Sequence, residues 1–132
     1  MIKKNPAQGN WEEVLEPGAK KVKKQVLIGE EESAPNFIMR IFEIEPGGAT
    51  PRHSHSWEHE VYVLSGKGKV YAQGNEIEIV PGDALLIEPN QEHQFTNPYS
   101  QPLCFLCLIP KQFESRKLKN YNNSKRRKRN EG

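Results

Sequence analysis

Four histidines, all that the 132-residue chain contains, are grouped between positions 53 and 93. Three stand in the run His53-Ser54-His55-Ser56-Trp57-Glu58-His59, and the fourth is His93. Neutral imidazole is the commonest side-chain ligand for first-row transition metals, and a site needs three or four donors brought together by the fold. The spacing therefore predicts one metal site with His53, His55, His59 and His93 as its ligands.

Strand geometry explains how these four side chains meet. Residues two apart on an extended strand project to the same face, so His53 and His55 can reach one ion. His59 follows a bend and begins the returning strand, which brings it beside the pair. His93 comes from a distant segment and joins the others only if the sheet closes on itself.

Composition and turn residues predict that closed sheet. With 35% hydrophobic residues, the chain has room for one core and is too short for two ordinary domains. Ten Gly and ten Pro among Val, Ile, Leu and Phe segments favour short strands joined by tight turns. We expect an all-β fold, either an antiparallel barrel or a double-sheet jelly roll (double-stranded β-helix). Its predicted strands cover residues 20–28, 36–44, 50–55, 59–65, 68–73, 75–80, 84–87, 93–97 and 103–109.

The ends of the chain differ from this body. Residues 1–19 are predicted to be an arm packed on the domain or on a partner subunit, 20–113 the barrel, and 114–132 a disordered basic tail. Residues 111–132 hold nine Lys/Arg and two Glu, a net +7, which leaves −5 for residues 1–110. A solvated tail is favoured over nucleic-acid binding, which would depend on the run Lys125-Arg126-Arg127-Lys128-Arg129.

No apolar run approaches the roughly 20 residues that span a bilayer, and no hydrophobic segment follows the first residues. We therefore expect a cytoplasmic protein without membrane contact.

Strand parity also selects candidates for a pocket beside the metal. Arg40 and Phe42 share one face of their strand, Phe95 shares a face with His93, and Phe105 and Cys107 share a face of the last strand. An inward Arg40 would orient an anion near the metal, and an outward Arg40 would be a solvated charge; both remain open. For the three phenylalanines, core packing is favoured over substrate contact. Cys104 and Cys107 point to opposite faces, which disfavours a disulfide between them.

At these residues the chain resembles the cupin family. The first cupin motif is matched by Gly47, His53, His55, position 59 and Gly66, and the second is echoed by Pro81-Gly82-Asp83, His93 and Asn97. The usual glutamate ligand is replaced by His59, with Glu60 next to it as the alternative ligand. The segment is similar to the small single-domain cupins with a four-histidine manganese site.

The resemblance implies one divalent transition metal per chain, Mn or Fe first, with Ni, Co, Zn and Cu also open. It also implies a homodimer and a pocket for a small organic molecule. An apolar pocket at an open metal favours a dioxygenase-like oxidoreductase. The alternatives are a non-catalytic module that binds or senses a small anion, and a metal-assisted isomerase or lyase.

Overall fold

A computed structural model describes residues 1–111 of the chain. The predicted tail at residues 114–132 and the end of the predicted barrel, residues 112 and 113, lie outside the described residues. No helix in the described part is long and apolar enough to cross a membrane.

Nine strands and two short 3-10 turns make up the described fold. Every strand pairing is antiparallel. The 3-10 turns are Pro6–Gln8 and Glu30–Glu32. The strands are β1 (Glu12–Glu13), β2 (Lys20–Ile28), β3 (Phe37–Ala49), β4 (His59–Ser65), β5 (Gly68–Ala72), β6 (Asn75–Ile79), β7 (Ala84–Ile87), β8 (His93–Thr96) and β9 (Leu103–Pro110).

The sheet is curled around strand β3. Its strand order is β6-β5-β8-β3-β9-β4-β7, and β2 also pairs with β3 and carries β1. Over most of its length β3 lies between β2 and β9, and at its end Ala49 pairs with Thr96 of β8. One strand thereby joins both parts of the sheet, and the all-β jelly-roll prediction is confirmed.

The predicted strand over residues 50–55 is wrong. Strand β3 continues to Ala49, and residues 50–55 form only one isolated bridge, between His53 and His93. Pro51 has no backbone N–H to give to a ladder, which ends regular pairing there. The predicted turn before this segment is instead part of β3, where Gly47 has φ of +82° and the register with β2 shifts.

Alternation of buried and more exposed residues on strands β4 and β9 builds the core between the curled faces. Leu103, Phe105, Cys107 and Ile109 of β9 all point inward and are buried. They pack with buried residues of β3 and β4, including Ile38, Ile44, Val61 and Val63. Burying an aliphatic or aromatic side chain of this size contributes about 1.5–3 kcal/mol.

The N-terminal arm lies against the domain through fewer contacts than its apolar residues suggest. Val14 packs against the core and Trp11 lies under the Lys23 ammonium, 5.0 Å from the ring centroid. Leu15, in contrast, is 80% exposed and anchors nothing.

Candidate metal centre

The four histidine rings converge at one end of the core. Ring centroids of His53, His55 and His93 lie 5.0 Å from one another, and those of His55 and His93 lie 4.5 and 5.1 Å from the centroid of His59. One ring nitrogen from each of His53, His55 and His93 lies within 4.8 Å of the others. The Nε2 atoms of His55 and His59 are 2.7 Å apart.

Hydrogen bonds on the outer side of two rings fix which nitrogen faces this centre. The Nδ1 atom of His55 lies 3.0 Å from the carbonyl oxygen of Trp57, and Nδ1 of His93 lies 2.8 Å from the carbonyl oxygen of Gln91. A carbonyl only accepts, so in both rings Nδ1 carries the proton and donates it. In both rings the lone pair that can bind a metal is therefore on Nε2.

His59 makes a different outer contact. Its Nδ1 atom lies 3.1 Å from the sulfur of Cys107 and 3.4 Å from Nη2 of Arg40. Burial, followed by the positive charge of Arg40, lowers the pKa of His59 to about 2. Burial also lowers the pKa of His93, although the hydrogen bond to Gln91 opposes that shift. Both rings are therefore neutral near pH 7, the form that binds metals.

His53 lies nearest to the opening of the site. Its Nδ1 atom is 4.0 Å from Oε2 of Glu16, a residue of the N-terminal arm. A carboxylate near the nitrogen that faces away from the metal favours a proton on that nitrogen. The backbone carbonyl oxygens have the same effect on His55 and His93. Nothing in the sequence pattern around Glu16 indicated this contact, because it depends on how the arm lies on the domain.

A cavity of about 70 Å³ opens beside the rings. All nine residues predicted from the sequence for metal and pocket line it: His53, His55, His59, His93, Arg40, Phe42, Phe95, Phe105 and Cys107. Further lining residues that were not predicted as site residues include Glu16, Lys24, Thr50 and Trp57. Trp57 stacks on His55 with ring centroids 4.2 Å apart, so it shapes the wall as well as the bend.

Arg40 points inward, which decides between the two orientations left open by the sequence. Only 6% of the residue is exposed, and its Nη2 donates to the sulfur of Cys107 at 3.1 Å. The guanidinium carbon lies 5.0 Å from the centroid of Phe42. Phe42 and Phe95 each stack on Phe105, which gives the cavity an apolar floor.

Glu60 lies on the other side of the sheet. Its backbone pairs with Leu86, and both side chains are exposed. The carboxylate considered as an alternative ligand is therefore directed away from the cluster by the alternation of strand β4.

These donors suit a divalent transition metal. Histidine nitrogens bind such ions at about 2.0–2.1 Å, so two nitrogens on one ion are roughly 3 Å apart. The 2.7 Å between Nε2 of His55 and His59 is close to that separation. His53, His55 and His93 can hold a metal ion, and His59 presents a nitrogen to the same centre.

Comparisons with known proteins agree with this geometry. Residues 40–109 match the family model described as the cupin domain. Among solved structures, the polyketide cyclase RemF from Streptomyces resistomycificus superimposes with a TM-score of 0.79. It is 37% identical, and the match covers 83% of this chain and 79% of that chain.

Two curated relatives match over shorter stretches. A 1-methylthio-D-xylulose 5-phosphate methylsulfurylase of Rhodospirillum rubrum is 32% identical over 71 residues, which cover 54% of this chain and 46% of that protein. An oxalate-binding protein of Thermotoga maritima is 30% identical over 67 residues, 50% of this chain and 55% of that protein. The chain thus spans about half the length of these curated relatives.

Proposed function

This chain belongs to the cupin family, and from that premise we propose that it is a metal-dependent oxidoreductase of the dioxygenase type, acting on a small organic molecule. The observation that carries the proposal is the combination of a cluster of neutral imidazoles with an apolar, three-phenylalanine floor. Four imidazoles and no carboxylate leave the full charge of a divalent ion uncompensated.

The protein's own residues would do three things in this reaction. His53, His55, His59 and His93 would hold the ion, and a bound Mn(II) or Fe(II) would supply redox chemistry and coordination positions that four ligands leave open. Phe42, Phe95 and Phe105 would exclude water from the reacting molecule. A dioxygenase places both atoms of O2 in the product, so the substrate supplies all the electrons and no separate reductant is needed.

The lining has little acid–base machinery, which weighs against a proton-transfer enzyme. Its one carboxylate is Glu16, which sits beside His53 with its side chain 39% exposed. Isomerases and lyases that move protons need a base within hydrogen-bond reach of the reacting carbon. No second carboxylate lines the cavity among the described residues.

A metal-assisted cyclase or lyase is the second candidate, favoured by the likeness to the polyketide cyclase RemF. The scarcity of carboxylates in the described lining of the cavity weighs against it, as it does against an isomerase.

Oxygen dependence separates these functions. The full chain, reconstituted with Mn(II) or Fe(II), would be incubated with pyruvate, glycolate or acetylacetone under 18O-labelled O2 and under argon. We expect metal-dependent O2 consumption with both labelled atoms in the product, and none from His93→Ala. Turnover at an unchanged rate under argon would contradict the oxidoreductase and favour the lyase. Binding without turnover in either gas would favour a binding or sensing module.

A further inference from the structure

Arg40 is a buried cation whose charge is not paired with a carboxylate. The residue is 6% exposed, and no ion pair of Arg40 occurs within residues 1–111. Its Nη2 contacts are Cys107 sulfur and Nδ1 of His59. Burying a charge is costly unless a partner compensates it.

One donor of the guanidinium has no partner among residues 1–111. Nε of Arg40 is buried and makes no hydrogen bond within the described part of the chain. A buried donor without an acceptor costs about 1–3 kcal/mol, more for a charged group. Arg40 also lines the cavity, so an acceptor that enters the cavity can take a hydrogen bond from its guanidinium.

The charges around the cavity favour an anion as that acceptor. Its lining carries Lys24 and Arg40 against the single carboxylate of Glu16. A divalent metal on neutral histidines adds two further positive charges. The pocket is apolar in its floor and positive in its charge, a combination that suits an organic anion.

We propose that Arg40 binds the carboxylate of the substrate, so that the substrate is a small organic acid held between the guanidinium and the metal. The planar guanidinium fork matches the two oxygens of a carboxylate. The guanidinium lies 3.4 Å from Nδ1 of His59, whose other nitrogen faces the metal centre. A small acid with an oxygen next to its carboxylate is the class that fits this separation, with the carboxylate at the guanidinium and the neighbouring oxygen toward the metal centre.

A phosphate is disfavoured because it needs more donors. Apart from the cations Lys24 and Arg40, the lining offers the hydroxyl of Thr50 as a donor. That hydroxyl already donates to the carbonyl oxygen of Phe95 and accepts from the N–H of Phe95. Few donors in the lining remain for the three oxygens of a phosphate group.

The inference rests on the proposed metal site but not on oxygen chemistry, so its test uses binding in the absence of O2. Titration calorimetry under argon would compare pyruvate with its neutral methyl ester on the Mn(II)-loaded full chain. We expect pyruvate to bind at least about tenfold more tightly, as a charge-assisted hydrogen bond to a buried group predicts. Equal affinities, or tighter binding of inorganic phosphate than of pyruvate, would overturn the proposal without any variant.

Variants then identify the residue responsible. Arg40→Gln is expected to weaken pyruvate binding about 10- to 100-fold and to leave the ester unaffected. Arg40→Lys keeps the charge and loses the planar fork, so its affinity for pyruvate should lie between those of the parent protein and Arg40→Gln. The matched control is Arg52→Gln, which removes an exposed arginine paired with Glu92.

Metal content and thermal unfolding of each variant show whether the site is intact. Unchanged pyruvate affinity in a folded, Mn-loaded Arg40→Gln protein would contradict the proposal. If O2 consumption fails while selective acid binding persists, only the oxidoreductase proposal is wrong.

Discussion

Each imidazole of the cluster has one nitrogen toward the centre and another toward a protein group outside it. The spacing of His53, His55, His59 and His93 was enough to predict that the four rings converge, because strand periodicity and a return strand bring these positions together. The outer partners were not predictable: Glu16 and Cys107 are 37 and 48 positions from the histidines that they contact. The Cys107 contact depends on the register between distant strands and the Glu16 contact on how the arm lies on the domain, and the spacing of the histidines specifies neither.

Cys107 is expected to support metal binding through the tautomer of His59. For Nε2 to bind a metal, Nδ1 must carry a proton and donate it. Arg40 can only donate, so of these two neighbours of Nδ1 the sulfur of Cys107 is the one that can accept its proton. Loss of such an outer partner typically costs about 10- to 100-fold in metal affinity.

We therefore predict that Cys107→Ala weakens Mn(II) binding by about 10-fold or more, while Cys107→Ser, which keeps an acceptor, restores most of it. Competition titration with a chelator measures both. Equal affinities for the alanine and serine variants would show that the sulfur contributes by packing alone.

The pH dependence of the metal-free protein follows from the lowered pKa of His59. In the unfolded chain this ring binds a proton near pH 6.5, and in the folded chain only near pH 2. The unfolded state therefore holds more protons between these values, so stability is full above about pH 6.5 and falls as the pH decreases. Between these two pKa values, one such group lowers the free energy of unfolding by about 1.4 kcal/mol for each unit that the pH decreases.

Between pH 7 and pH 5 we expect the contribution of His59 to the free energy of unfolding to fall by about 2 kcal/mol, and the lowered pKa of His93 acts in the same direction. Urea unfolding of the metal-free protein at both pH values measures this change. His59→Gln removes the titrating group and should reduce the dependence; an equally steep dependence in the variant would assign it to other groups.

At the scale of elements, the strands themselves were predictable and their ends were not. Alternation of apolar residues identified eight of the nine described strands closely, since period-two burial is a local property of sequence. The segment at residues 45–55 was assigned wrongly because Pro46, Gly47 and Gly48 are typical of a turn. Pairing with β2 and with Thr96 keeps the chain in the sheet through this segment.

The turn between β4 and β5 offers a test of how tightly the sheet closes. Gly66 has φ of +76°, and a Cβ atom there would approach the carbonyl oxygen of Pro102 to 2.0 Å. Gly74 has φ of +84°, but a Cβ atom there meets nothing within 4 Å. Both alanine variants place a side chain on a backbone with positive φ, which is strained. Only Gly66→Ala also brings the new methyl group against the carbonyl oxygen of Pro102.

We expect Gly66→Ala to lower the free energy of unfolding by about 1–3 kcal/mol more than Gly74→Ala. Chemical denaturation of both variants checks the difference. Equal destabilisation would indicate that the chain near Pro102 moves aside at little cost.

At the scale of the whole molecule, one outer face of the sheet is mostly apolar. Tyr62 on β4 and Leu86 on β7 are 46% and 55% exposed, and Leu106 of β9 lies opposite Tyr62. Glu60 lies on the same face, between Leu86 and Leu108. Apolar surfaces of neighbouring strands are typical of interfaces between subunits. The homodimer remains a prediction, and this face is where we propose that a second copy packs.

Light scattering of the full chain is expected to give the mass of a dimer, and Leu86→Lys the mass of a monomer. Ile77→Lys, at a residue 54% exposed on β6, is the matched control and should remain dimeric. A monomeric parent protein, or identical masses for both variants, would contradict this interface.

Metal analysis tests the central claim, a cupin metal site made of histidines, most directly. The full chain would be purified without a histidine tag or a nickel column, beside His93→Ala and the control Arg52→Gln. We predict about one Mn or Fe per chain in the parent and the control, and a sharp loss in His93→Ala. Little bound metal in the parent, even after reconstitution with Mn(II) or Fe(II), would contradict the account.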